Sequence, residues 1–359
     1  MTVRVLVLGY GLAGRMFHSR LIAAEPTLKI TGIVTADAER REQATTDFPG
    51  VRIFASAEDA WMCAEDFDLA IVATANSAHV PQATAALEAG LHVVVDKPLA
   101  GSADEAKALM ELADRQGRQL HVFQNRRWDS EILTARQVID EGLIGTPHRL
   151  ESRFERWRPT PKGGWREDGS AADLPGLLYD LGAHLIDQAL HLLGPVDRVV
   201  ASVRAVRGGA TADDDTQVLL WHTRGAVSFL TVSAASAFGE PRLRLLGTDG
   251  GLRIETLDTQ EDALRAGRSP LDDDWGTEAD DALLVSGTDA SRAIPRVRGR
   301  WTTYYREVSR ALRDGSPAPV DPRDVVANLR VIEAARDSAL TNTVVTLDPP
   351  AGHVDVRST

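Results

Sequence analysis

Asp180, His184, Asp187 and His191 follow one another at spacings of 4, 3 and 4 along LLYDLGAHLIDQALHLL, residues 177–193. At about 100° per residue, a helix gathers them within an arc of roughly 60°. Almost everything else in the stretch is Leu, Ile or Ala. A merely solvated face would carry Lys, Glu and Arg instead, so the stripe points to a cleft. One chemistry it offers is proton transfer, because His titrates near neutrality and Asp can orient it. A second is metal binding through His184, Asp187 and His191. A third is a hydrogen-bonded structural stripe, which suits Asp187 and His191 best because they lie further along.

Two other places in the chain carry chemistry. VVVDKPLAG sets Asp96-Lys97-Pro98 at the end of an apolar strand. In open α/β sheets ligands lie outside that edge, so Lys97 is placed to meet a substrate, and Pro98 holds it extended. Near the start, Gly9-Tyr10-Gly11-Leu12-Ala13-Gly14 reads G-x-G-x-x-G between the strand-like VLVLG and a helical stretch. The first glycine permits a tight turn, the second lets backbone approach a pyrophosphate, and the third lets the helix pack close. A helix N-terminus then receives the pyrophosphate charge. An acid normally follows about 20 residues on to grip the ribose hydroxyls. Here Thr35 stands at the end of the second strand. Asp37 is placed to cap the next helix, and Arg40 and Arg41 are near enough to meet a ribose 2′-phosphate.

The elements that must position these groups fall into two patterns. In the first third, RVLVLG, LKITGIV, FDLAIVAT, LHVVVD and RQLHVFQ alternate with helical stretches, and Gly90 and Gly117 stand at helix ends. Near-continuous apolar strands between helices predict a doubly wound parallel sheet. Past residue 123 a helix, DSEILTARQVIDEG, leads to a strand near HRLESRFERW, a Pro/Gly-rich loop and the stripe helix. Strands VDRVVASVRAV, DTQVLLWHT, AVSFLTVSA, PRLRLLG and GLRIET follow with no helices between them, which predicts an open, mainly antiparallel sheet. Residues 257–297 read as polar loop, with Asp272-Asp273-Asp274 solvated, before two closing helices. The division expected is 1–122 for a dinucleotide-binding domain and 123–359 for a C-terminal domain.

Composition narrows the function classes. The 359 residues suit two domains and are 43% hydrophobic, as in globular proteins. A net charge of −12 disfavours nucleic acid and anionic membranes. The one cysteine, Cys63, excludes an internal disulfide. The first strand begins at once and no apolar run could span a bilayer, so a cytoplasmic protein is expected.

Taken together, Gly9–Gly14, Thr74-Ala75-Asn76, Asp96-Lys97-Pro98 and the pattern Gly176, Asp180, Gly182, His184, Asp187 resemble the glucose–fructose oxidoreductase / inositol dehydrogenase / rhizopine-catabolism (Gfo/Idh/MocA) family. The likeness covers nearly the whole chain and implies a Rossmann NAD(P)-binding domain, 1–122, followed by a C-terminal α/β substrate-binding and oligomerisation domain, 123–359, on an open, mainly antiparallel sheet. Asn125–Asp129, Leu178–Gly182 and Gln260–Gly267 resemble most the branch with NADP-dependent scyllo-inositol dehydrogenases. Asp96 stands for the commoner Glu, Ala75 for Pro, and Thr35 for the ribose-binding acid.

The resemblance implies a hydride transfer between a nicotinamide and a secondary alcohol or ketone of a cyclic polyol or sugar. Lys97 would touch nicotinamide ribose and substrate, His184 would accept the proton, and Asp180 would tune it. Gly9, Gly11, Leu12, Ala13, Gly14, Thr35, Arg40, Thr74, Asn76, His79 and Lys97 would hold the cofactor, with NADP(H) preferred and NAD(H) accepted. Asn125 and Arg126 would face the substrate, and Trp157, Arg158 and Trp165 would cover it. No metal is expected. A homodimer or homotetramer is expected through the second sheet, to which Leu219, Trp221, Phe229 and Leu243 offer apolar surface. The alternatives are a cofactor-sensing regulator on the same fold and an oxidoreductase of a non-sugar substrate.

Overall fold

The computed structural model describes residues 2–170 and 173–348; the side chains of Trp165 and Arg166 also lie outside the description. Six strands form the first sheet: β1 (Val3–Leu8), β2 (Leu28–Val34), β3 (Arg52–Phe54), β4 (Leu69–Val72), β5 (His92–Val95) and β6 (Leu120–Val122). Their order is β3-β2-β1-β4-β5-β6, and every neighbour runs parallel. β4 is buried along its whole length, as a strand covered on both faces must be. The order reverses between β1 and β4, so a crevice opens beyond their C-terminal ends, where such sheets bind ligands. β3 escaped the sequence reading. Arg52-Ile53-Phe54 is only three residues long and half-exposed at the sheet edge, too short to show a pattern.

The helices here form where their caps and stops dictate. Ser102 accepts from the Glu105 N–H and starts Ala103–Gln116, and Gly117 ends it in the left-handed region at φ +62°.

The second sheet has nine strands. They are β7 (Pro147–Glu155), β8 (Val196–Arg204), β9 (Asp215–His222), β10 (Val227–Ser233), β11 (Leu243–Gly247), β12 (Gly250–Ile254), β13 (Ala282–Ser286), β14 (Arg292–Ile294) and β15 (Val345–Thr346). The order is β14-β13-β12-β11-β7-β10-β9-β8-β15. All neighbours are antiparallel except central β7 and β10. One face is apolar and buried, as the strict alternation of β9 shows, and helix Ala183–Leu193 lies against it. The other face carries half-buried or exposed Leu219, Trp221 and Phe229; Leu243 is fully buried on the inner side.

Residues 257–297 are not simply loop. They contain helix Gln260–Arg265 and strands β13 and β14. β13 reads ALLVS, with apolar residues on both faces, so its period of two was hidden. Its buried Ala282 and Leu284 are set by pairing with β12, not by pattern. The acidic run pairs with Arg268, which bonds Asp272 at 3.3 Å and also Asp274.

Helix Pro322–Thr341 ties the two halves together. It packs on Ala103–Gln116 of the first and on Ala183–Leu193 and β8 of the second. One continuous core results, and the crevice lies between the sheets.

Candidate active site

The glycine loop leaves β1 at Gly9, whose φ is +91°. A Cβ there would lie 2.5 Å from the Ala73 carbonyl oxygen, and one on Gly14 would lie 2.0 Å from that of Gly9. Both positions demand glycine because backbone occupies the space. Gly11 differs. A Cβ there would meet only the Arg40 guanidinium, 3.7 Å away. The outer side of the loop is therefore open, and no side chain caps the helix that follows at Ala13. An open glycine cradle on an uncapped helix start fits a dinucleotide pyrophosphate. Gly14→Ala should destabilise the fold by about 1–3 kcal/mol, since backbone must shift. Gly11→Ala should change stability by less than about 0.5 kcal/mol while weakening cofactor binding. Denaturant midpoints and a cofactor titration read both.

Beyond the loop, Thr35 ends β2 as a buried residue. Asp37 is used as a cap and accepts from the Arg40 N–H at 2.9 Å. Arg41 bonds the Thr35 and Ala36 carbonyls. Arg40 is exposed, and its guanidinium makes no hydrogen bond or ion pair among the described residues.

Across the crevice, a small cavity is lined by Ala13, Thr74, Asn76, Lys97, Gly176 and Asp180. Four separate sequence motifs thus meet. Asn76 donates to the Asp173 carbonyl at 3.0 Å, which joins the Thr-Ala-Asn loop to the segment before the stripe helix. The Lys97-Pro98 peptide is cis. Asp96 accepts from the Lys97 N–H at 2.8 Å. Burial pushes the Asp96 carboxyl up, but His18, Lys97 and His79 outweigh it and hold it down at about 2. His79 is buried and bonds the Pro98 carbonyl through Nδ1 at 2.7 Å, so it braces this loop from behind.

The stripe helix starts at a backbone only glycine allows. Gly176 has φ +103°, and a Cβ there would lie 1.8 Å from Asp213 Oδ1. Asp213 in turn accepts from the Leu178 N–H. Residues Leu178–Gly182 form a widened π-helical turn before the regular helix Ala183–Leu193. Such turns are frequent at functional sites. Asp180 sits on the widened turn, and its carboxylate pairs with Lys97 Nζ at 3.1 Å. The Asp180 carbonyl accepts from the same ammonium. His184 is buried, and its Nδ1 has no hydrogen-bond partner among the described residues. Burial, then the charges of Lys97, Arg126 and Arg242, push its pKa well below the usual histidine value. The ring is therefore neutral near pH 7. Lys97 is one charge beside Asp180, the residue that the sequence reading expects to tune His184.

Further along the stripe, Asp187 is tied to another element. Asp187 is buried and takes two bonds from Arg127, at 2.9 and 2.7 Å. Arg127 also bonds Asp324 at 3.0 Å. Metal binding by the stripe finds no support, since no group of three or more His, Cys, Asp or Glu among the described residues is arranged to hold an ion.

Asn125 and Arg126 begin a short 3₁₀ turn after β6. Asn125 is buried. Arg126 pairs with Asp129 at 3.4 Å and with Glu261, and lies over the rings of Phe154 and Trp301. The loop expected to cover the substrate follows β7. Trp157 is 57% exposed and Arg158 is exposed, while the Trp165 side chain lies outside the described residues. Arg156, passed over in the sequence, lies within electrostatic reach of Arg158, Asp180, Glu261 and Arg126. Alternation could have found it. Leu150, Ser152 and Phe154 form the buried row of β7, and Arg156 is next in that row. Arg242, which binds Glu131 at 3.0 Å and Gln188 at 3.0 Å, was also missed; it stands at the start of β11 with no local motif.

A doubly wound sheet, a glycine cradle and a lysine facing a buried imidazole across a crevice define a dinucleotide-dependent oxidoreductase. Comparison with known proteins agrees. Residues 3–124 match the oxidoreductase family with an NAD-binding Rossmann fold, and residues 132–253 match the GFO/IDH/MocA C-terminal domain. The chain is 35% identical to scyllo-inositol 2-dehydrogenase (NADP(+)) of Bacillus subtilis, over 97% of this chain and 96% of that one. It is 26% identical to D-apiose dehydrogenase of Paraburkholderia graminis, over 89% and 83%. A solved structure from Klebsiella pneumoniae superposes with a TM-score of 0.89 at 36% identity, covering 98% of this chain and 96% of that one. The chain belongs to the Gfo/Idh/MocA family and is an NAD(P)-dependent oxidoreductase.

Proposed function

We propose that this oxidoreductase interconverts a secondary alcohol and a ketone on a sugar or cyclic polyol, with NADP(H) as the preferred cofactor. The observation that carries the reading is the buried, neutral His184, its Nδ1 unpartnered among the described residues, within reach of the Lys97 charge. The nicotinamide, when bound, supplies hydride acceptance or donation. The chain's own groups handle charge and proton. His184 accepts the hydroxyl proton. Lys97 stabilises negative charge developing on the substrate oxygen, and Asp180 holds the ammonium in place through two contacts. The cations around His184 disfavour the imidazolium, so the proton is readily passed on and the reaction can run either way. The names of relatives acting on scyllo-inositol and D-apiose support the substrate class.

The cofactor preference rests on Thr35 and Arg40. No acid at the end of β2 repels a 2′-phosphate, and Asp37 is spent as a cap. Arg40 stands over the glycine loop with its guanidinium unpaired among the described residues. Arg40→Ala should raise the Kd for NADP+ by about 10- to 100-fold, the value of a charge-assisted pair, and leave that for NAD+ within about threefold. Equal effects on both would remove Arg40 from this role.

Assembly as a homodimer or homotetramer is part of the reading. Exposed Phe229, Leu283 and Val285 on the outer sheet face support it. No helix among the described residues is long and apolar enough to cross a membrane, and a cytoplasmic location is proposed with the rest. The deciding experiment offers inositols and sugars with each cofactor and follows reduced-nicotinamide absorbance. Growth of that absorbance with a hydroxyl-rich substrate is expected. Silence across the panel, with cofactor bound, would sink the reading.

A further inference from the structure

Among the described residues around the crevice, one guanidinium stands apart from the paired charges. Lys97 is matched by Asp180. Arg126 is matched by Glu261 and Asp129. Arg242 is matched by Glu131. Arg156 is half-buried, and its guanidinium makes no hydrogen bond, ion pair or ring contact among the described residues. The carboxylates within its electrostatic reach, Asp180 and Glu261, already serve Lys97, Arg126 and Arg265. Backbone holds it firmly, since the Arg156 N–H donates to the Ser233 carbonyl at 2.9 Å and Trp157 bridges to Ala235. It extends the inner row of β7, whose Phe154 ring lies beneath Arg126 and Arg242.

A half-buried guanidinium that no acceptor touches directly is costly to maintain. Its planar fork matches an oxyanion. A neutral polyol would leave that fork only hydroxyl partners, and hydrogen bonds to an ion's counter-charge are stronger.

We propose that Arg156 receives an oxyanion of the substrate, so that the preferred substrate is a polyhydroxy acid: a sugar or polyol bearing a carboxylate. The proposal rests on the sugar-dehydrogenase reading above and narrows it. His184 and Lys97 act on the reacting alcohol, and Arg156 binds the carboxylate and sets which alcohol is presented. Arg156 is a specificity residue, because it grips a group that does not react.

The experiment uses matched substrates: glucose with glucuronate, galactose with galacturonate, and the corresponding 6-phosphates, each with both cofactors. The wild type should favour the uronate of a pair. In Arg156→Gln, the ratio of kcat/KM for acid over neutral partner should fall by about 10- to 100-fold. Arg156→Lys should recover part of that ratio, since charge returns without the fork. Thermal midpoints of the variants show that they fold. A wild type that prefers the neutral partner throughout, or a ratio unmoved by Arg156→Gln, overturns the carboxylate while leaving the sugar-dehydrogenase reading intact. Discrimination that collapses for the 6-phosphates but not the uronates keeps the oxyanion and overturns the carboxylate. No oxidation of any partner with either cofactor overturns both readings.

Discussion

Turnover of His184→Ala should fall by about 10²- to 10⁴-fold, the usual worth of a positioned proton acceptor, with the cofactor Kd nearly unchanged. The pH profile carries the sharper test. Burial and the cations Lys97, Arg126 and Arg242 hold the His184 pKa well below 6.5. A base works only when unprotonated. His184 is unprotonated at every pH above its depressed pKa, so alcohol oxidation should hold level as pH falls through 6.5 and decline only in more acidic solution. That acid limb should disappear in His184→Ala. The same shift bears on stability. A histidine whose folded pKa is depressed contributes stability above the unfolded value, and that contribution is lost as pH falls towards the folded one. Removing His184 should therefore lessen acid destabilisation below about 6.5. A variant with near-normal turnover across the pH range would show that another group takes the proton.

The largest expected effect on folding lies one turn along the same helix. Asp187→Ala leaves Arg127 buried without its two-point partner. Breaking a buried pair by removing one member costs about 3–5 kcal/mol. The cost should sit at the lower end, because Asp324 still binds the guanidinium from the partly exposed side. Even so it is a large share of the about 5–15 kcal/mol that holds a domain together. Urea midpoints measure it. The folded fraction of Asp187→Ala should retain turnover within about tenfold of the wild type, a far smaller loss than for His184→Ala. A stability change below about 1 kcal/mol would mean that the pair is solvated and idle.

Much of the protein was legible in residue order because it depends on local rules. Of the glycines at 9, 11 and 14, the outer two follow from backbone clearance. A Cβ at the first or third collides with main chain, whereas one at the second meets only the Arg40 guanidinium. Apolar runs separated by capped helices imply a parallel sheet, since both faces need cover. The lysine at the end of β5 is placed by topology alone, as ligands bind at that edge.

Other features are non-local. β3 and β13 are short strands set by the neighbours they pair with. The stripe was read with uniform helical turns, but the turn at Leu178–Gly182 is π-helical. It follows the bend at Gly176, where Asp213 crowds the backbone. This turn carries Asp180 to Lys97, 83 residues away in sequence. The division of labour along the stripe was likewise undetermined. Asp187 is a structural anchor because Arg127, from a different element, reaches it. Arg156 and Arg242 enter the crevice environment from strands whose order no local pattern encodes. Sequence alone determined the cofactor cradle and the residue types available for chemistry, since both obey short-range sterics and periodicity. The pairing of charges was decided by the tertiary structure, because Coulomb interactions depend on distance through space and on burial, and neither is a property of position along the chain.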